Sequence, residues 1–96
     1  MKTQDIRLGQ NNVATGYEID LPGAPLVAAR GQKGFLMCGY LDLATADKLG
    51  VAAAVVRGVK SIDELLEKPV AGVSVAAARL GVAVGMTGRE ALEILA

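Results

Sequence analysis

The stretch from Val13 to Leu21 alternates strictly between two sets of side chains, and this alternation constrains the fold more than any other feature. Every second position holds one set, which is Val13, Thr15, Tyr17, Ile19 and Leu21, and the positions between them hold Ala14, Gly16, Glu18 and Asp20. A period of two places successive side chains on opposite sides of an extended chain. The pattern predicts a half-buried β-strand.

Three further strands are predicted around this one. Residues 6–8 precede it across the turn-forming sequence Gly-Gln-Asn-Asn at 9–12, which indicates a hairpin. Residues 26–29 and 35–38 are unbroken apolar runs separated by a turn at 30–34, and such runs are typical of strands covered on both faces. Four strands in succession predict a meander.

The second half of the chain alternates helical segments with one more strand. Residues 52–57 are rich in small and β-branched side chains, which favours a fifth strand. Capping boxes are predicted at Ser61/Glu64 and Thr87/Glu90. In this motif the side chain of a Ser or Thr and that of a Glu three residues later each bind the other residue's backbone amide. Helices are expected at 45–49, 61–67, 74–80 and from 87 onward. We therefore predict one compact α+β domain over residues 1–96, with a mostly antiparallel sheet of about five strands packed by three to four short helices.

The chain is richer in apolar residues than a small domain can bury. Hydrophobic residues make up 52% of it and 12 glycines add to that share, whereas soluble domains average about 45–50% with glycine included. A domain of this size buries only about 60–65% of the surface of its unfolded chain. The surplus favours a partner surface, and because identical subunits are the commonest partners we expect a homo-oligomer, a dimer or trimer.

Several classes of protein are disfavoured by the charges. The longest uncharged stretch is residues 69–78, too short for the roughly 18–20 residues of a membrane span, and charges in MKTQDIRL disfavour a secretory signal. Ten basic and ten acidic residues balance, and aromatics make up 3%, which argues against nucleic-acid binding. A single Cys agrees with a reducing compartment. We expect a soluble cytoplasmic protein.

Two stretches carry a resemblance to a known family. GFLMCGYLD at 34–42 and LGVAVGMTGREAL at 80–92 resemble signature stretches of the YunC-like family of small bacterial and archaeal proteins, domain of unknown function 1805. The similarity in the order of segments extends over the whole chain. The resemblance implies an α/β architecture and an intracellular location, and it implies no catalytic residue.

Cys38 is the first candidate for chemistry, because it lies at a predicted strand end before Gly39, where a ligand has room. A reactive thiol needs a cationic or helix-terminal neighbour that stabilises the thiolate, and the chain contains no His to serve as its base. The alternative is a buried small hydrophobe, which the usual burial of free Cys favours.

The turn before the last helix is a candidate anion site. Backbone amides at Thr87 and Gly88, with the Arg89 guanidinium, could hold a phosphate or carboxylate. The spacing matches neither a P-loop nor a dinucleotide fingerprint, and ordinary capping of the helix is the favoured interpretation.

Charged residues elsewhere give the remaining candidates. Asp42, with Asp47, could act in acid–base chemistry, although a role at a helix start is favoured for Asp42. Arg57 and Lys60 flank Gly58 between a strand and a helix, where α/β proteins often bind ligands, and solvated surface charge is the alternative. We predict no metal site and no cofactor, since His is absent and no Cys cluster or calcium-loop spacing occurs.

Two functional hypotheses follow. The first is a non-catalytic oligomeric protein that binds a small anionic metabolite or a partner, or serves as an accessory subunit. The second is an enzyme in which Cys38 acts with Asp42, Arg57 or Arg89 in a pocket, possibly at a subunit boundary. Convergence of these residues on one pocket would favour the enzyme.

Overall fold

The computed structural model describes residues 1–96 and contains one sheet and four helices. The elements in chain order are β1 Lys2–Arg7, β2 Val13–Ile19, β3 Leu26–Arg30, β4 Gly34–Met37, α1 Leu43–Leu49, β5 Ala52–Val55, α2 Ile62–Glu67, β6 Gly72–Val73, α3 Val75–Leu80 and α4 Gly88–Leu95. The strands lie in the order β1-β2-β3-β4-β5-β6, and every neighbouring pair is antiparallel except β4 and β5. None of the helices is long and apolar enough to cross a bilayer.

This architecture confirms the predicted α+β class with a mostly antiparallel sheet and an N-terminal meander. The sheet has six strands where about five were expected. The additional strand, β6, is only two residues long, so it is too short to produce a recognisable alternation.

The inner face of the sheet carries the hydrophobic core. Ala14, Val27, Leu36 and Ala54 point to this side and pack with α2, α3 and α4. The helices contribute an apolar stripe each, with Ile62, Leu65 and Leu66 buried on α2 and Ala91, Leu92 and Leu95 buried on α4. α2 lies very close to β2 at Gly16, where an added Cβ would be only 2.9 Å from Ile62 Cδ1. The small residues of β2 therefore face the helices.

The outer face is covered over only part of its width. α1 connects the parallel strands β4 and β5 and lies over β5 and β6, where the Leu43 side chain fills the space above Gly72. No helix lies over β1 to β4 on this side. Val13 is 54% exposed there, and Tyr17, Ile19, Phe35 and Met37 are only half-buried.

The expectation that β3 and β4 are covered on both faces is therefore not met within one chain. Their inner-facing residues, such as Ala29 and Leu36, are fully buried, whereas Phe35 and Met37 face outward. The apolar runs indicate burial on two sides, and the chain itself provides helices for one.

Candidate functional site

A cleft of about 760 Å³ lies on the outer face of the sheet. Its floor is apolar and consists of Tyr17, Ala28, Phe35 and Met37 from three neighbouring strands. The strand register explains this grouping, since Tyr17 is paired with Ala28 and Ala28 with Met37. The end of α1 at Gly50, together with α3, forms the adjoining wall.

The rim of this cleft is positively charged. Arg30, Lys33 and Arg79 line it, and none of its lining residues is acidic. The one ion pair of the structure joins Lys68 to Glu64, so the three cations at the cleft have no carboxylate partner. An apolar floor beneath unpaired cations is suited to a ligand with an apolar body and a negative charge.

Backbone and capping contacts anchor the segments that carry two of these cations. The turn that carries Lys33 is fixed to the last helix, because the Lys33 amide donates to the Leu95 carbonyl at 2.8 Å. The turn must lack a side chain at Gly31, where a Cβ would overlap the Leu95 carbonyl group. Arg79 lies on α3, whose N-cap Ser74 is fully buried and accepts from the Ala77 amide. The cleft rim is therefore built on anchored elements.

Sequence reasoning missed this cleft. The sequence predicts only a turn at residues 30–34, and it predicts Arg79 only as part of a helix over residues 74–80. Two basic residues in one hairpin turn are a weak signal for an anion site, and nothing in the sequence places Arg79 beside them. Only the packing of α3 against β5 brings it there.

Cys38 follows β4 and lines a separate pocket of about 300 Å³. The pocket also includes Gly39, Tyr40 and Lys60, and the Tyr40 hydroxyl donates to the Ala24 carbonyl at 2.9 Å. Cys38 is only 4% exposed, and its Sγ accepts from the Val27 amide at 3.4 Å. Burial and this contact agree with the thiol being part of the core.

Arg57 and Lys60 lie at the same end of the sheet as Cys38, beyond the carboxyl ends of β4 and β5. Both side chains are exposed. The Arg57 guanidinium lies close to Gly39, because a Cβ added at Gly39 would be 3.8 Å from Arg57 Nη1. The Lys60 backbone amide donates to Glu64 Oε1 at 2.9 Å. This bond lowers the pKa of Glu64, and it replaces the bond to the Ser61 amide that the capping-box pattern predicted.

Asp42 caps the first helix. Its carboxylate accepts from the Thr45 hydroxyl at 2.8 Å and from the Ala44 amide at 3.1 Å, and these bonds, the Thr45 hydroxyl foremost, lower its pKa. Asp47 is bound elsewhere, because it accepts from the Val75 amide at 2.8 Å. The two carboxylates do not form a pair, and no group of three or more potential metal-binding side chains occurs.

The turn at Thr87 and Gly88 is already occupied by protein groups. Thr87 and Glu90 form a capping box, with bonds of 2.9 and 3.1 Å, which lowers the pKa of Glu90 through the Thr87 amide. The Gly88 amide donates to the Lys68 carbonyl at 3.0 Å.

Arg89 also has partners within the chain. Its Nη1 donates to the Arg7 carbonyl at 3.3 Å, and the depression beside it contains Asp63 and Glu67. Two carboxylates next to Arg89 oppose the binding of an anion. The structure thus brings Cys38 and Lys60 to one pocket and places Asp42 and the Thr87–Arg89 turn outside it.

Comparison with known proteins gives a consistent result. The family model of Domain of unknown function (DUF1805) matches residues 37–95. The Uncharacterized protein YunC of Bacillus subtilis (strain 168) is 43% identical over 82 residues, which is 81% of this chain and 81% of that protein. A crystal structure of a protein of unknown function, TA1206 from Thermoplasma acidophilum, superposes with a TM-score of 0.93 at 35% identity and covers 99% of this chain and 92% of the other.

These matches confirm the resemblance indicated by residues 34–42 and 80–92. The family model covers more than half of the chain, and the structural match covers nearly all of it. The chain belongs to the YunC-like DUF1805 family.

Proposed function

We propose that this protein is a non-catalytic binding protein that assembles with copies of itself and holds a small anionic molecule with an apolar body. The outer-face cleft is the proposed binding site. The observation that carries the proposal is the combination of Arg30, Lys33 and Arg79 on its rim with no acidic residue among its lining.

The size and chemistry of the cleft support this proposal. A volume of about 760 Å³ falls within the roughly 300–1,000 Å³ of typical small-molecule sites. Tyr17 and Phe35 offer aromatic surface for the apolar part of a ligand. Guanidinium groups bind carboxylate and phosphate through paired hydrogen bonds, so Arg30 and Arg79 suit the charged end.

Thermal-shift measurements with a small set of probes test the proposal. Phenyl phosphate carries both features, inorganic phosphate lacks the apolar body, and phenethylamine has the opposite charge. A ligand at about 100 times its dissociation constant adds roughly 2.7 kcal/mol to the free energy of unfolding, which corresponds to at least about 10 °C in a domain of this size. We expect phenyl phosphate or phenylacetate to stabilise more than either comparison probe.

Variants of two arginines locate the site. We expect Arg79→Gln to weaken binding of the anionic probe, because it removes a cation from the cleft rim. Arg89→Gln is the matched control, since Arg89 lies in a different depression, and it should bind like the unmodified chain. Equal effects of the two substitutions, or no stabilisation by any aromatic anion, would contradict the proposed site.

A second candidate function is an enzyme that uses Cys38. It is favoured by one observation, namely that Cys38, Gly39 and Lys60 line a pocket beyond the carboxyl ends of the parallel strands β4 and β5, a common ligand position in α/β sheets. Iodoacetamide at neutral pH distinguishes the two functions. The binding function predicts that Cys38 resists alkylation in the native state and reacts after unfolding, whereas a nucleophilic role requires rapid native-state alkylation.

A cytoplasmic location and the absence of cofactor and nucleic acid stay predictions from composition. Fractionation of cells and mass spectrometry of the purified protein under native conditions would test them.

A further inference from the structure

The floor of the outer-face cleft has a hollow at Ala28. Ala28 is paired with Tyr17 on one side and with Met37 on the other, so the three side chains point to the same face. Leu26 and Arg30 are two residues away on the same strand and therefore also point outward. No helix lies above β3 on this side, so the 9% exposure of Ala28 reflects its depth among these four longer side chains.

Strand geometry sets the size of the hollow. Neighbouring strands lie about 4.8 Å apart, so Tyr17 and Met37 stand roughly 9.6 Å from each other across β3. Leu26 and Arg30 are four residues apart and limit the hollow along the strand to roughly 13 Å. This is the space that one large side chain on β3 would fill. A single aromatic ring that stands on edge over Ala28 would have the usual cross-strand spacing to both walls.

The two walls favour an aromatic ring over an aliphatic group. The Tyr17 ring can pair with a second ring in an offset or edge-to-face arrangement, which adds to the effect of burial. The Met37 thioether also makes favourable contacts with aromatic rings. An aliphatic group of the same size gains neither interaction, so the hollow distinguishes between the two.

The cations lie at one end of the hollow. Arg30 follows Ala28 toward the turn between β3 and β4, and that turn carries Lys33. The parallel strands β4 and β5 both begin at this end of the sheet, and the N-cap residue of α3 is hydrogen-bonded to the start of β5. Arg79 of α3 therefore lines the cleft at the same end, whereas Leu26 lies at the other. A ligand in the hollow points its negative charge toward the turn.

We propose that the ligand of the cleft is an aromatic acid with a single ring, which stands on edge over Ala28 between Tyr17 and Met37 and directs its anionic group to Arg30. This inference rests on the proposed binding function and names its ligand class. It makes Ala28 the residue that determines specificity, because a larger side chain at this position would occupy the space of the ring.

Isothermal titration calorimetry with acids of equal charge and different shape tests the ligand class. Phenylacetate has a single ring, hexanoate has a flexible chain, and 1-adamantaneacetate has a body wider than the hollow. Burial of a phenyl ring corresponds to about tenfold or more in the dissociation constant. We therefore expect phenylacetate to bind at least about tenfold more tightly than either of the other two acids.

A chain-borne ring in the hollow should compete with the ligand. We expect Ala28→Phe to weaken phenylacetate binding by at least about tenfold, because the new side chain points into the cleft and fills the hollow. The matched control is Thr3→Phe. Thr3 is exposed and is paired with Tyr17 on its other side, so this variant adds the same ring to the same face outside the hollow. It should bind phenylacetate like the unmodified chain, and thermal melts verify that both variants fold.

Two measurements do not depend on how well Ala28→Phe folds. Met37→Ala widens the hollow on one side, so it should raise the affinity for the two-ring acid 1-naphthylacetate relative to phenylacetate by at least about tenfold. In the unmodified chain, a ring over Ala28 should shift the methyl NMR signal of Met37. The other two methionines, Met1 and Met86, do not line the cleft, and their signals should stay in place.

The outcomes separate the ligand class from the proposed function. If none of the acids binds the unmodified chain, both are overturned. If Arg79→Gln weakens phenylacetate binding and Ala28→Phe does not, or if 1-adamantaneacetate binds as tightly as phenylacetate, the aromatic-acid proposal is overturned and the binding function stands. Loss of binding in Ala28→Phe, with binding retained in Thr3→Phe, supports the proposal.

Discussion

Ser74 joins β5 to α3 beside the proposed site, and we expect Ser74→Ala to lower the free energy of unfolding by about 2–4 kcal/mol. Ser74 is the only buried polar residue of the core and is fully shielded from solvent. Its hydroxyl donates to the Val51 carbonyl at 2.8 Å and accepts from the Ala53 amide at 2.9 Å and the Ala77 amide at 3.2 Å. It thereby ties the start of β5 to the first turn of α3.

The magnitude has two contributions. Loss of an N-cap hydroxyl costs about 1 kcal/mol. A buried donor left without an acceptor costs about 1–3 kcal/mol more. The Ser74→Ala substitution leaves the Ala53 amide without its acceptor, and water cannot replace it because β5 is buried along its length. In a domain of this size the sum corresponds to a fall in Tm of at least about 10 °C.

Urea denaturation measures the loss, and Ser61→Ala is the matched control. Ser61 also caps a helix, but it is half-buried and its hydroxyl accepts only from the Glu64 amide. We expect that control to lose about 1 kcal/mol. Equal losses for the two variants, or a loss below about 1 kcal/mol for Ser74→Ala, would refute the argument that the buried amide of Ala53 depends on Ser74.

Three further predictions concern packing and pH. Gly88→Ala should destabilise by more than about 2 kcal/mol in urea unfolding, because a Cβ there would overlap the Leu65 carbonyl oxygen; an unchanged midpoint would contradict this. Leu92→Ala should cost about 2–5 kcal/mol, since Leu92 is fully buried, whereas Leu80→Ala, at a 44% exposed position, should cost less. The folded protein lowers the pKa values of three carboxylates, Asp42, Glu64 and Glu90. Their stabilising contribution is complete above the pKa values of the unfolded chain and is lost as they become protonated, so Tm should decline as pH falls below about 4.5. Glu90→Gln should flatten this decline, and an unaltered pH profile would exclude its contribution.

Local structure was predictable wherever the deciding contacts lie within a few residues. The alternation around Tyr17 and the Thr87/Glu90 capping box are confirmed, because strand pleating and helix capping depend on neighbours in sequence. The predicted Ser61/Glu64 box is confirmed only for its hydroxyl, since the Glu64 carboxylate binds the Lys60 amide instead. Two competing amides lie within its reach, and the sequence does not distinguish them.

The site was less accessible to sequence reasoning. The sequence predicts Cys38 and Lys60 as candidate site residues, and the two meet in one pocket, but it does not predict the cleft with Arg30, Lys33 and Arg79. Its members come from a hairpin turn and from α3, nearly fifty residues apart in the chain, and their proximity depends on how α3 packs.

The sequence by itself determined the α+β class, the meander, the starts of α2, α3 and α4, and the family, because alternation, caps and motifs are properties of short segments. Only the tertiary structure decided which face of β2 meets the helices. Alternation shows that two faces exist, but the close approach of Ile62 to Gly16 directs the small side chains inward and the larger ones outward. That choice leaves Tyr17, Phe35 and Met37 on the face that forms the floor of the proposed binding cleft.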